Sequence, residues 1–124
     1  MTGRRGPAVA GVMGGLSGPA IRPLAVRCIW LVREALPDVP IIGSGGVRTG
    51  RDALELIMAG ATVAAVGTAI FGDPSACTRI QHELEEELTA RGAERLADVS
   101  GVAHQAGGYV PPGGYAPPVR HLPG

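Results

Sequence analysis

Two short apolar runs, Val39-Pro40-Ile41-Ile42-Gly43 and Val63-Ala64-Ala65-Val66, each break into glycine and then into a helical pattern. This repeat constrains the fold more than any other feature. A strand covered on both faces reads as a continuous apolar run, whereas a strand with one wet face alternates. Both runs are continuous, so both predict parallel strands buried between helices. Thr49 followed by Asp52 reads as a variant capping box, and Ala53, Leu54, Leu56, Ile57 and Met58 then form a helical face that stops at Gly60. Upstream, Pro19 suits a first helical turn, and Ile21, Leu24, Ala25, Cys28, Ile29, Val32 and Leu36 recur at three- and four-residue intervals up to Pro37. Downstream, Asp73-Pro74 supplies an N-cap and first-turn pair for a helix with an inner face of Cys77, Ile80, Leu84 and Leu88, ending near Gly92. Ala93 to Val99 forms one more short helix, and the Glu83 to Glu87 run reads as a solvated face.

The order helix, strand, helix, strand, helix implies parallel strands joined by right-handed crossovers. Two such strands leave open edges and uncovered apolar surface, so the chain reads as a slice of a larger α/β barrel or doubly wound sheet. A chain of 124 residues is long enough for one ordinary domain. Basic and acidic residues number 11 each, which argues against a nucleic-acid or anionic-membrane partner and for a small molecule. Cys28 and Cys77 lack the spacing of a metal or redox pair and read as two buried free thiols, so no metal site is expected.

The first 18 residues are glycine-rich and read as loop or hairpin, with Ala8 to Val12 as an extended arm. The stretch after the opening arginines is too short and too broken for a signal peptide or membrane span, so a cytoplasmic protein is expected. Residues 107–124 are a Gly/Pro tail that cannot bury enough apolar surface to offset its ordering entropy and is expected to be disordered.

The chemistry lies in the glycines. Gly43-Ser44-Gly45-Gly46 and Gly67-Thr68 follow successive strands, so their amides meet at one sheet edge, just ahead of two helix N-termini. Glycine lets a backbone approach a phosphate closely, free amides donate to its oxygens, and helix dipoles favour its charge. In (β/α)8 barrels the loops after strands seven and eight form a common phosphate site. Glycines that merely make tight turns would give the same local pattern.

Gly14-Gly15-Leu16-Ser17-Gly18-Pro19-Ala20-Ile21 with Arg22-Pro23, then Pro40 to Val47, Ala59-Gly60-Ala61 and Val66-Gly67-Thr68-Ala69, closely resembles the C-terminal part of class 1 dihydroorotate dehydrogenases in both motif and spacing. The resemblance runs from about Arg4 to about His104, so residues 1–106 are expected to be the C-terminal portion of an FMN-binding (β/α)8 barrel. It implies a flavin enzyme that oxidises dihydroorotate to orotate in pyrimidine synthesis. By the same resemblance Gly18, Gly45, Gly46, Gly67 and Thr68 contact FMN, mostly its phosphate. Ser44 stands where many relatives carry methionine, which should not disturb donation by backbone amides.

The family's base, its flavin-contacting lysine and its substrate-binding asparagines lie on earlier strands, and no residue here matches them. No catalytic residue is therefore expected in this chain, and none of Cys28, Cys77, His82, His104 or His121 is expected to replace one. Two other readings fit the same residues: a non-catalytic flavin- or phosphate-binding module that self-associates or completes its sheet with another chain, and a piece of a dihydropyrimidine dehydrogenase-like flavin barrel. The Val66-Gly67-Thr68 ending favours the dihydroorotate enzyme. The forms of the glycine motifs look most like the branch that works with an iron–sulfur, FAD-containing electron-transfer subunit and NAD.

Overall fold

The computed structural model describes residues 13–105. The apolar arm at residues 8–12, the Gly/Pro tail and His121 lie outside them. In chain order the elements are a 3-10 turn Pro19–Ile21, α1 Arg22–Ala35, β1 Ile42–Ser44, α2 Gly50–Met58, β2 Val63–Ala65, α3 Ala69–Gly72, α4 Ala76–Ala90, α5 Leu96–Val99 and a 3-10 turn Val102–His104. The strands pair in parallel, with Ile42 opposite Val63, Gly43 opposite Ala64 and Ser44 opposite Ala65. This is the expected α/β arrangement of parallel strands and crossover helices.

Helix α2 carries the core. Its start is fixed by the Thr49–Asp52 capping box: Thr49 Oγ1 accepts from the Asp52 amide at 3.2 Å, and Asp52 Oδ2 accepts from the Thr49 amide at 3.0 Å. Leu54, Leu56 and Ile57 are fully buried. Leu56 joins Ile29, Ala61, Ala76 and Ile80 beneath the sheet, while Leu54 and Ile57 pack with Val99 on the other side. Burying each such side chain contributes roughly 1.5–3 kcal/mol. Gly50 permits the close approach of α4: a Cβ there would lie 2.3 Å from the Leu84 amide nitrogen and 2.4 Å from the Glu83 carbonyl carbon.

Both strands were expected to be covered on two faces, and the described residues cover one. Gly43 is buried against the helices, but Ile42 is 73% exposed and Val63 47% exposed on the opposite face. A two-stranded sheet has no further strands to curve around that surface. For the same reason the apolar stripe of α1 is only partly used. The helix packs on α2 and β1 through Ala25, Val26 and Ile29, leaving Leu24, Cys28, Val32 and Leu36 exposed. Cys28 is thus not a buried thiol.

Cys77 is exposed as well. The inner face of α4 begins at Ala76 and runs through Ile80 and Leu84, placing Cys77 one residue off the stripe. Asp73 does not cap α4 directly. Its carboxylate accepts from the Ser75 amide at 3.0 Å and hydroxyl at 2.6 Å, an Asx turn that delays the helix to Ala76. Glu83 departs from the expected solvated face: its Oε2 accepts from the Gly50 amide at 2.6 Å, joining α4 to the start of α2. His104 ties the second 3-10 turn to α1 and to the end of α2. It stacks on Trp30 with ring centroids 4.8 Å apart, and its Nε2 lies 2.9 Å from the Ala59 carbonyl.

The Gly50 amide first, and the Arg79 guanidinium second, hold the Glu83 carboxyl below its ordinary value of 4.5. A carboxylate with a lowered folded-state pKa contributes stability that is complete above its unfolded value and lost as pH falls through the folded value. A Glu83→Gln chain is therefore expected to lose less stability than the parent between about pH 5 and pH 3 in urea titrations. Parallel losses in the two chains would contradict this link between α2 and α4.

Candidate functional site

Because β1 and β2 are parallel, both leave the sheet at the same edge. There Gly45 and Gly46 follow β1, Gly67 and Thr68 follow β2, and Gly18 approaches from the turn before α1. All five border one open cleft of about 540 Å³, within the range of roughly 300–1,000 Å³ usual for small-ligand sites. Among the described residues, no hydrogen bond engages the amides of Gly45, Gly46, Gly67 or Thr68. Unpaired backbone donors converging on a concave surface are an anion-binding arrangement.

The unengaged amides lie in the loops, whereas most of those around the first turn of α2 already have partners. The Arg48 and Thr49 amides both donate to Asp52 Oδ2 at 3.0 Å, the Asp52 amide donates to Thr49 Oγ1, and the Gly50 amide is taken by Glu83. The capping box and Glu83 thus occupy most of the amides at the start of α2, so the helix end can favour an anion through its dipole while the loop amides stay unengaged.

The glycines differ in why they must be glycine. Gly46 has φ 74°, and a Cβ there would lie 2.8 Å from the Gly18 carbonyl oxygen and 2.9 Å from Arg22 Cβ. The protein's own packing demands it. At Gly67 a Cβ would meet nothing within 4 Å, and no positive φ requires glycine. That empty space leaves room for a ligand to approach the backbone closely.

Sequence reasoning missed the charged rim. Arg48, Asp73 and Arg79 also border the cleft. Asp73 is held below its ordinary carboxylate pKa, first by the Ser75 hydroxyl and then by Arg79, and so remains anionic at neutral pH. Hydrogen bonds to Glu83 and Asp73 raise the Arg79 pKa further. The signal for these residues is spatial, since Arg48 and Arg79 are 31 positions apart. Cys28 and Cys77 do not border the cleft, His82 pairs with Glu86 at 3.4 Å on an exposed face, and no metal-holding cluster occurs among the described residues.

Residues 3–88 match the family model for dihydroorotate dehydrogenase. The chain belongs to the dihydroorotate dehydrogenase family. It is 49% identical over 105 residues to the dihydroorotate dehydrogenase B (NAD(+)) catalytic subunit of Desulforudis audaxviator strain MP104C, covering 85% of this chain and 34% of that protein. The namesake subunit of Geobacter sp. strain M21 is 51% identical over 98 residues, covering 79% and 32%. The chain thus spans about a third of the length of the curated relatives it matches. Among solved structures, DHODH of Eimeria tenella in complex with ferulenol superposes with a TM-score of 0.72 at 32% identity, over 76% of this chain and 26% of that one. The two parallel strands and their helices are accordingly a portion of a dihydroorotate dehydrogenase (β/α)8 barrel.

The two glycines separate packing from ligand approach in a direct test. Gly46→Ala is expected to destabilise the chain by about 1–3 kcal/mol through its positive φ and its clash, whereas Gly67→Ala should change stability by less than about 0.5 kcal/mol. Equal urea midpoints for the two variants would refute this distinction.

Proposed function

We propose that this chain supplies the FMN-phosphate cradle of a dihydroorotate dehydrogenase that oxidises dihydroorotate to orotate, with Gly18, Gly45, Gly46, Gly67 and Thr68 as the contacts. The observation that carries this reading is the convergence of two glycine loops on one cleft with their amides unengaged among the described residues. The open space at Gly67 supports it. When bound, FMN supplies the hydride-accepting chemistry. The residues of this chain bind and orient: loop amides donate to phosphate oxygens, and the Arg48 charge at the rim adds long-range attraction for the dianion, the Arg79 charge being offset by Asp73 and Glu83.

The chemical step needs groups that this chain does not provide. It contains no lysine and no asparagine, so neither a flavin-contacting lysine nor substrate-binding asparagines can come from it. Exposed Ile42 and Val63 suit the interior of a completed barrel, in which further strands would bring the base and substrate contacts to the same mouth. The similar subunits are named NAD(+)-type catalytic subunits, which supports NAD as the final electron acceptor and a separate partner subunit; we read that partner as an iron–sulfur, FAD-containing electron-transfer subunit and the enzyme as cytoplasmic. Among the described residues, no helix is long and apolar enough to cross a membrane.

The full 124-residue chain is expected to bind FMN more tightly than riboflavin, which lacks the phosphate, and to show no dihydroorotate oxidation when FMN is added. Gly67→Val should weaken FMN binding at least about tenfold by blocking the approach, and leave riboflavin binding unchanged. Flavin fluorescence titration and orotate absorbance check both points. Equal affinity for the two flavins, or turnover above a protein-free control, would overturn the assignment.

A further inference from the structure

Beyond the ends of the strands, the two glycine loops must be held at a fixed separation if they are to grip one phosphate. The last paired residues are Ser44 and Ala65, and the loops that follow lie outside the ladder. Arg79, on the second turn of α4, reaches both connections. Its Nη1 and Nη2 donate to the Arg48 carbonyl at 3.3 and 3.2 Å, two residues past Gly46. Its Nε and Nη2 each lie 3.0 Å from Asp73 Oδ2, in the turn that closes the connection begun by Gly67 and Thr68. Nη1 also donates to Glu83 Oε1 at 2.6 Å, and the other oxygen of Glu83 holds the Gly50 amide. Asp52 meanwhile holds the Arg48 amide at 3.0 Å, so the Arg48 residue is fixed at both its N–H and its C=O.

We propose that Arg79 is a positioning residue that ties the two glycine loops into one anion site, through the fork of its guanidinium and not through its charge alone. The proposal rests on reading the cleft as a phosphate site. A planar fork can serve the Arg48 carbonyl, Asp73 and Glu83 together, whereas a lysine ammonium is a compact charge on a flexible stem and does not reproduce that geometry. Asp73 and Glu83 hold two of its edges, so Arg79 serves the site mainly by shaping it. The Arg79 side chain is 41% exposed, so replacing it leaves no deeply buried charge behind and the fold should survive.

The test uses the full chain and its Arg79→Gln and Arg79→Lys variants, read by backbone ¹⁵N heteronuclear NOE without ligand and by FMN and riboflavin titrations. Both variants are expected to lower the NOE at Gly46 and Arg48 and also at Gly67 and Thr68, leaving Leu56 and Ile80 unchanged. FMN affinity should fall about three- to fivefold with riboflavin unaffected. Unchanged NOE values at either loop in Arg79→Gln, or full recovery in Arg79→Lys, would overturn the tie. If the parent chain does not prefer FMN to riboflavin, the phosphate reading fails, while the NOE comparison still decides whether Arg79 couples the loops.

Discussion

The pairing of Ile42, Gly43 and Ser44 with Val63, Ala64 and Ala65 in parallel sends both strands out of the sheet at the same edge. An antiparallel pair would have put the two glycine loops at opposite ends, some three residues apart, with no shared cleft. The parallel register in turn depends on α2, which carries the chain back under the sheet between the strands. Its capping box fixes where that return begins, and its buried Leu54, Leu56 and Ile57 fix how it lies. The site is thus a consequence of one well-anchored crossover.

The same arrangement explains why the geometry looks unfinished. Burial of Ile42 and Val63 would contribute on the order of 1.5–3 kcal/mol each in a closed barrel, and the described residues offer them no partner. Two parallel strands of three residues are short of the number that usually sustains an independent sheet. What stabilises this piece is helix-on-helix packing around α2, with Glu83 and Arg79 joining α4 to the loop side. In the proposed reading the phosphate cradle can therefore be ordered while the reacting groups come from other strands of the barrel.

Much of this was legible in the sequence, because it follows from local patterns. Continuous apolar runs ending in glycine marked both strands, the Thr49–Asp52 pair marked the start of α2, and the motif spacing brought Gly18, Gly45, Gly46, Gly67 and Thr68 to one place. The errors share a cause. Periodicity identifies an apolar stripe but not how much of it finds a partner, so Cys28 and Cys77 were assigned to the interior, and β1 and β2 were assigned two covered faces. The roles of Arg79, Glu83 and His104 depend on contacts 31 to 45 residues away, which no local pattern encodes. Capping also has a consequence that composition hides: Thr49, together with Glu83 from α4, takes most of the amides that the N-terminus of α2 would otherwise offer.

In the proposed site the loop amides, and not the α2 terminus, receive a phosphate. A ¹H–¹⁵N correlation titration of the full chain with FMN, with riboflavin as the control, tests it most directly. Phosphate-dependent shifts are expected to concentrate at the amides of Gly45, Gly46, Gly67 and Thr68, with those of Thr49, Gly50 and Asp52 little changed. Shifts centred on the α2 start, or equal shifts from riboflavin, would contradict it.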